Sequence, residues 1–290
     1  MKTIGLIGKP LAHSISPVFQ QAALDHLGLE ARYELWETER QALAERVAAM
    51  RRPDCLGANV TVPYKELVIP MLDETDPLAN RIGAVNTIVN RDGRLCGYNT
   101  DMTGFARALR EEGSFDPSGA HVVLLGAGGA GRAVTMALVG GKAASVTISD
   151  IVPQRADRLV HDLGRQVETI LRNVPPTKDS LAAVMKECQL LVNCTPIGMR
   201  HSKEEHDLPI PAELIPAGVL IFDIIYNPLE TRLLAEAKRR GARTLGGLSM
   251  LVYQGAASLE LWTAGQAPLD VMFRAARKAL APTAIKGRED

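Results

Sequence analysis

The chain has 290 residues, of which 46% are hydrophobic and 23% charged, the composition of an ordinary globular protein. Lys and Arg together number 33, as do Asp and Glu, so the net charge is zero and no nucleic-acid partner is indicated. No apolar run approaches about 18 residues, which argues against a membrane span, and the four cysteines lack metal-ligand or disulfide-framework spacing. The length accommodates two domains, and without a signal-peptide pattern the chain is expected in the cytoplasm.

The first hundred residues alternate strand and helix signals. Strands are predicted at 4–7, 33–36, 56–62, 84–90 and 94–98, and helices at 16–27, 39–50 and 65–71. Arg91-Asp92-Gly93 between the last two strands predicts a hairpin turn. The pattern indicates one mixed-sheet α/β domain, followed by a linker at 109–119 that is rich in turn-forming residues.

The second half opens with an apolar strand at 122–125 that runs into Gly126-x-Gly128-x-x-Gly131 and a helix at 132–139. Strand, glycines and helix in this order match the dinucleotide-binding fingerprint, although a glycine turn without a ligand has the same local pattern. The glycines allow a tight turn and close approach of a pyrophosphate, and the helix N-terminus offers unpaired N–H groups. Further strands at 144–149, 167–170, 189–193 and 219–224 predict a Rossmann domain, and two helices between 248 and 280 are long enough to pack back on the first domain.

The strand at 144–149 ends at Asp150, where a carboxylate can accept hydrogen bonds from the adenosine ribose of NAD. The same carboxylate would repel the 2′-phosphate of NADP, although Arg155 could still reach that phosphate. The sequence therefore predicts NAD, with NADP as the less favoured cofactor. The alternative for Asp150 is a structural carboxylate that caps the strand end or the next helix.

Polar residues interrupt or follow the apolar strands of the first half. They are Ser14, Ser16, Thr61, Lys65, Asn86 and Asp101. For Ser16, which precedes Pro17, helix capping is the alternative to a ligand contact. Lys65, at the start of a predicted helix, opposes the helix dipole, and this misfit favours a role in a site.

Eight segments, in order and plausibly spaced from about residue 5 to 254, resemble the shikimate/quinate dehydrogenase family. They are Ser14-Ile15-Ser16-Pro17 and residues 59–65, 83–87, 97–101, 126–130, 193–199, 223–228 and 250–254. The resemblance implies a mixed-sheet α/β substrate domain (1–105 and 248–290), a Rossmann dinucleotide-binding domain (106–247), C-terminal helices that pack on the first domain, and an active site between the domains.

The resemblance also implies reversible hydride transfer between a nicotinamide cofactor and shikimate/3-dehydroshikimate, with quinate/3-dehydroquinate as a further pair. Ser16 favours shikimate, because relatives specialised for quinate often change this serine. The alternatives are a dehydrogenase that acts mainly on quinate, a non-catalytic NAD-binding paralogue and a folate-type methylene dehydrogenase. Lys65 and Asp101 argue against the paralogue, and Gln254 with the two serines argues against the folate enzyme.

By this resemblance, Ser14 and Ser16 hold the substrate carboxylate, Lys65 transfers the proton, and Asp101 orients Lys65. The substrate ring and its hydroxyls are surrounded by Thr61, Asn86, Tyr226 and Gln254. The cofactor residues are Gly126, Ala127, Gly128, Gly129, Ala130, Asp150, Arg155, Thr195, Ile224 and Gly247, of which the last three lie along the nicotinamide end.

Two positions depart from the family pattern. Met102 stands where Gly or Ala is common, and Asp150 stands where NADP-dependent members usually have Asn-Arg-Thr. No metal is expected, because His201 and His206 lie in a hydrophilic segment typical of a solvated loop. A homodimer is considered, although nothing in the sequence decides the oligomeric state.

Overall fold

The computed structural model describes residues 1–164 and 167–281, which form two six-stranded sheets with flanking helices. The first sheet consists of β1 (Lys2–Gly8), β2 (Ala31–Glu37), β3 (Cys55–Val60), β4 (Glu74–Thr75), β5 (Thr87–Arg91) and β6 (Arg94–Tyr98). Its strand order is β2-β1-β3-β5-β6-β4, and β5 pairs antiparallel with β3 and β6 while the other pairs are parallel. The mixed sheet and its hairpin are therefore as predicted.

The helices of this first part are α1 (Ser16–His26), α2 (Leu43–Ala49), α3 (Pro77–Ile82) and α4 (Asp101–Glu111). Helix α4 carries the chain from the first sheet to the second. The predicted linker at 109–119 therefore begins inside a helix, and the predicted domain boundary at 105/106 lies within the same helix.

The second sheet is entirely parallel, in the order β12-β11-β10-β7-β8-β9. Its strands are β7 (His121–Leu125), β8 (Ser145–Ser149), β9 (Ile170–Asn173), β10 (Leu190–Asn193), β11 (Leu220–Asp223) and β12 (Arg243–Gly246). Parallel neighbours need crossover connections, and these contain α5 (Gly129–Gly140), α6 (Pro153–Gly164), α7 (Lys178–Met185) and α8 (Arg232–Arg239). The arrangement is the predicted Rossmann-type unit.

Two C-terminal helices, α9 (Leu248–Thr263) and α10 (Leu269–Leu280), return to the first sheet. The indole nitrogen of Trp262 donates to the carbonyl oxygen of Ile88 in β5 at 2.9 Å, and α10 packs on α1. The predicted packing of these helices on the first part is therefore confirmed. Residues 282–290 of the predicted substrate domain lie outside the described residues.

Two local predictions are wrong. Residues 65–71 form turns and a short 3₁₀ segment, Ile69–Met71, because the carbonyl oxygen of Lys65 accepts from Val85 N–H instead of an intrahelical donor. The strand predicted at 167–170 lies later, at Ile170–Asn173, where its register is set by pairing with β8. Within the two described ranges, none of the helices combines the length and apolar character needed to cross a membrane.

Candidate active site

The site begins where Lys65, in the turn after β3, meets the glycine-rich loop after β7. A Cβ built on Gly129 would lie only 3.3 Å from the Cβ of Lys65, so the two halves of the molecule touch at this point. Lys65 Nζ lies 2.6 Å from Asp101 Oδ2, and the two side chains are only 14% and 7% exposed. The predicted catalytic pair therefore forms one largely buried ion pair, and Asp101, in the first turn of α4, also benefits from the positive end of that helix.

Asn86 connects this pair to the residues around it. Its Nδ2 lies 3.0 Å from Asp101 Oδ1, 2.9 Å from Thr100 Oγ1 and 3.2 Å from Gln254 Oε1, while its Oδ1 accepts from Thr100 N–H at 2.7 Å. Asp101 thus holds Lys65 with one carboxylate oxygen and Asn86 with the other. The close approach of α4 and α9 depends on Gly104, where a Cβ would lie 2.7 Å from Gln254 Cβ.

Ser14 and Ser16 lie beside each other at the start of α1, near Tyr226 from the loop after β11. Ser14 Oγ accepts from Ser16 N–H at 3.3 Å, and the Ser14 hydroxyl lies near the Tyr226 hydroxyl. Burial raises the pKa of Tyr226, which keeps its hydroxyl protonated, although the nearby Ser14 hydroxyl acts in the opposite direction. Ser16 is the first residue of α1 and makes no side-chain cap, so the capping alternative for Ser16 is wrong. Thr61 lies just beyond β3, where its N–H donates to Ile7 O.

The glycine-rich loop has the shape that a pyrophosphate requires. Gly126 adopts φ +95°, and a Cβ there would lie 2.9 Å from the backbone of Cys194, so only glycine fits. Gly128 has open space on its Cβ side, with no atom within 4 Å, and α5 begins at the next residue. Ala127 is buried, whereas Gly129 and Ala130 are half-buried in the first turn of α5. This open cradle at a helix N-terminus fits a dinucleotide phosphate.

The Asp150 side chain is hydrogen-bonded to the backbone of this loop. Its Oδ2 accepts from Ala127 N–H at 2.7 Å, its Oδ1 accepts from Val152 N–H at 2.8 Å, and the residue is only 8% exposed. Both carboxylate oxygens therefore already have backbone donors. These contacts fit a structural carboxylate at the end of β8 better than they fit a carboxylate that binds the ribose. Arg155 is exposed on the first turn of α6.

The residues predicted at the nicotinamide end lie together at the carboxyl ends of β10, β11 and β12. Thr195 Oγ1 donates to Asn193 Oδ1 at 2.7 Å, and Asn193 Nδ2 donates to the buried Asp223 at 3.0 Å. Ile224 N–H donates to Asn193 O, and Gly247 lies so close to Ile224 that a Cβ would be 2.0 Å from its carbonyl oxygen. Burial raises the pKa of Asp223 to about 6 and also raises the pKa of the neighbouring Cys194 thiol, which therefore stays protonated.

Sequence reasoning missed a buried polar network beneath Asn86. Ser258 Oγ lies 2.9 Å from Asn59 Nδ2, 2.8 Å from Thr87 Oγ1 and 3.0 Å from Thr100 Oγ1, and it donates to Gln254 O at 2.9 Å. The sequence offered one indication of Ser258: it follows Gln254 by four residues, which places both residues on the same face of α9.

Comparisons with known proteins give a consistent result. Residues 6–88 match the model of the shikimate dehydrogenase substrate binding domain, residues 247–277 the shikimate 5′-dehydrogenase C-terminal domain, and residues 122–231 the saccharopine dehydrogenase NADP binding domain. A curated relative from Symbiobacterium thermophilum, named shikimate dehydrogenase (NADP(+)), is 43% identical over 96% of this chain and 95% of its own.

Two solved structures extend the comparison. Shikimate 5-dehydrogenase from Thermus thermophilus, in complex with NADP(H) and shikimate, is 41% identical, with a TM-score of 0.85 over 97% of this chain and 100% of its own. Quinate dehydrogenase from Corynebacterium glutamicum, in complex with NAD, is 30% identical, with a TM-score of 0.84 over 96% of this chain and 99% of its own.

The prediction that NAD is preferred over NADP is wrong. The similar curated relatives are named NADP(+)-dependent, and the Thermus structure contains NADP(H). The physical reason lies at Asp150, whose charge was expected to face the ribose. The Asp150 carboxylate is instead buried and hydrogen-bonded to two backbone N–H groups, whose dipoles offset part of its charge and so weaken the expected repulsion of a 2′-phosphate.

Proposed function

The chain belongs to the shikimate dehydrogenase family, and we propose that it is an NADP(H)-dependent oxidoreductase that interconverts shikimate and 3-dehydroshikimate. One observation carries the proposal: Lys65 and Asp101 form a buried ion pair directly beside the glycine-rich loop. A proton donor next to a dinucleotide cradle is the arrangement that reduction of a ketone requires.

The chemistry that NADP(H) supplies when bound is hydride transfer to or from the ring carbon. In the reductive direction, Lys65 Nζ gives a proton to the carbonyl oxygen as that oxygen becomes a hydroxyl. In the oxidative direction, the same nitrogen accepts the hydroxyl proton. Asp101 holds Nζ in place through Oδ2, so that little reorganisation is needed during the proton transfer.

The remaining polar residues are proposed to orient the substrate. Ser14 and Ser16 hold the carboxylate, which fits their adjacent placement at the start of α1. The ring and its hydroxyls contact Thr61, Asn86, Tyr226 and Gln254. Because Asn86 bonds to both Asp101 and Gln254, a substrate hydroxyl bound there is fixed relative to the proton donor.

The cofactor is proposed to lie along the carboxyl edge of the second sheet. Residues 126–130 and the N-terminus of α5 hold the pyrophosphate, and Thr195, Ile224 and Gly247 line the nicotinamide end. The exposed Arg155 is assigned to the 2′-phosphate, since arginine pairs well with phosphate oxygens. The two-domain division, the cytoplasmic location and the homodimer stay predictions.

Quinate is the second candidate substrate, and the similarity to a quinate dehydrogenase at 30% identity supports it. The deciding experiment is a set of initial rates with shikimate and quinate, each with NADP⁺ and NAD⁺. We expect the highest kcat/KM for shikimate with NADP⁺. A higher kcat/KM for quinate than for shikimate would make quinate the preferred substrate. Absence of turnover with both acids would refute the proposed function.

A further inference from the structure

Ser14 lies in the wall of a cavity between the two halves of the chain, and polar side chains of the second half line the same cavity. A cavity of about 510 Å³ is lined by His13 and Ser14 from the loop before α1, and by Arg200 and Asn227 from the second half. Apolar residues just before α1 and at the end of α10 also line it, and among residues 1–164 and 167–281 the lining contains no Asp or Glu. The described polar lining is therefore neutral or basic.

The segment that carries Arg200 contacts the other wall of the cavity through the neighbouring residue, His201. Arg200 N–H itself donates to Asn227 O at 2.8 Å, within the second half of the chain, and Tyr226, the residue before Asn227, lies beside Ser14. The His201 ring stacks on the His13 ring, with centroids 4.3 Å apart and planes 26° from parallel. Residues 200–201 are thus held against residues 13–14, although the two pairs are far apart in sequence.

The backbone at His201 is unusual, and its N–H group has a side-chain acceptor. His201 adopts φ +65°, in the left-handed region that non-glycine residues rarely occupy, and its N–H donates to Glu205 Oε2 at 2.8 Å. Glu205, one of the two acidic side chains nearest in sequence, is therefore engaged by the backbone. Within residues 1–164 and 167–281, no ion pair is found for the Arg200 guanidinium.

We propose that Arg200 is a specificity-determining residue that recognises the substrate carboxylate from the second half of the molecule, opposite Ser14 and Ser16. The inference rests on the proposed function, which places the carboxylate at those two serines. The hydroxyls of Ser14 and Ser16 can donate hydrogen bonds to the substrate carboxylate, but they carry no charge. The Arg200 guanidinium, which has no ion pair among the described residues and lines one cavity with Ser14, adds charge-assisted recognition, which discriminates a carboxylate from a neutral group of similar size.

The test compares shikimate with its neutral methyl ester in wild type, Arg200→Ala and Arg200→Lys. The matched control is Lys203→Ala, which removes an exposed cation from the same loop but not from the cavity lining. In Arg200→Ala we expect KM for shikimate to rise at least about tenfold, the fold-change for a lost bond to a charged group. KM for methyl shikimate and for NADP⁺ should stay unchanged in Arg200→Ala. In Arg200→Lys, KM for shikimate should lie between the wild-type and Arg200→Ala values. Lys203→Ala should have the wild-type KM.

Several results would overturn the assignment. Wild-type turnover of shikimate together with an unchanged KM in Arg200→Ala would refute the role of Arg200 and leave the proposed function intact. Equal losses for the acid and the ester would show that Arg200 does not recognise charge. Failure of the wild type both to turn over shikimate and to bind it by calorimetry would refute the proposed function and the inference together.

Discussion

Asp101 contacts Lys65 with one carboxylate oxygen and Asn86 with the other, and in the proposed mechanism this arrangement links proton transfer to substrate orientation. A carboxylate that holds a lysine and an amide at once fixes both side chains more precisely than either contact alone. At the residue scale, the role proposed for Ser14 and Ser16 and the effect of burial on Asp223 can each be tested separately.

The double variant Ser14→Ala with Ser16→Ala should raise KM for shikimate at least about tenfold, because each lost bond to a charged group costs about 1.5–3 kcal/mol. KM for NADP⁺ should change little, and steady-state kinetics measures both constants. Ser118→Ala, which removes an exposed hydroxyl from the turn between α4 and β7, is the control. An earlier melting transition with unchanged KM would mean that the two serines only stabilise the start of α1.

Asp223→Asn should change how stability depends on pH. Burial raises the pKa of Asp223 to about 6, so the folded state binds its proton more tightly than the unfolded state, in which the pKa is about 4. The stability that this protonation contributes is complete below pH ~4 and is lost as pH rises to ~6, up to about 3 kcal/mol. Urea unfolding of wild type between these values should show this loss, and Asp223→Asn should lack it.

The exposed Asp207 provides the control, since Asp207→Asn should leave the wild-type pH dependence in place. Identical pH slopes for wild type and Asp223→Asn would contradict the account of Asp223.

At the scale of elements, α9 carries Gln254, a proposed substrate contact, and Ser258, a buried anchor to the first sheet, on one helical face. Gln254 lies at the site, whereas the fully buried Ser258 bonds to residues of β3 and β5 and to Thr100, the residue before Asp101. Ser258 fixes the helix that carries Gln254, and it contacts Thr100, the residue next to Asp101.

Ser258→Ala should lower the unfolding free energy by about 1–3 kcal/mol, because it leaves buried polar groups without a partner. It should also lower kcat for shikimate, since Thr100 and Gln254 both lose a fixed neighbour. Thr263→Ala is the matched control, because the Thr263 hydroxyl makes a similar bond to Leu259 O on the same helix but lies outside the network. An equal loss of unfolding free energy in the two variants would show that the network stabilises the fold no more than a single side-chain bond to the helix backbone does.

The elements also show which local features the sequence can specify. The hairpin at Asp92-Gly93 and the two C-terminal helices follow from turn chemistry and periodicity, and both are found. The helix expected at 65–71 is absent because Val85 N–H takes the Lys65 carbonyl, a partner distant in sequence. Strand β9 is an exposed edge strand, with Ile170 63% exposed, so its weak apolar pattern could not fix its position.

At the scale of the whole molecule, α4 and α9 connect the two sheets, and Phe105 of α4 stacks on Phe222 of β11 with centroids 4.9 Å apart. Arg132 of α5 adds a second connection by donating from Nε to Ile82 O at the end of α3. These contacts hold the Lys65 turn against the glycine-rich loop. The site therefore exists only where the two halves meet.

The motifs could identify the residues at this meeting point, because each lies at the end of an apolar strand or at the start of a helix. They could not show that backbone N–H groups donate to both oxygens of Asp150, or that Arg200 and Ser14 line one cavity. Those facts depend on which distant segments pack together, and the cofactor prediction was wrong for this reason.

The central claim is that Lys65 transfers the proton during shikimate oxidation with NADP⁺. The direct measurement is the single-turnover rate of nicotinamide absorbance change in wild type, Lys65→Met and the control Lys186→Met, which removes an exposed lysine. The account predicts a rate at least about 10²-fold lower in Lys65→Met, the usual contribution of a general acid or base, with NADP⁺ affinity and the control unchanged. A Lys65→Met rate within about threefold of wild type, with hydride transfer rate-limiting, would contradict it.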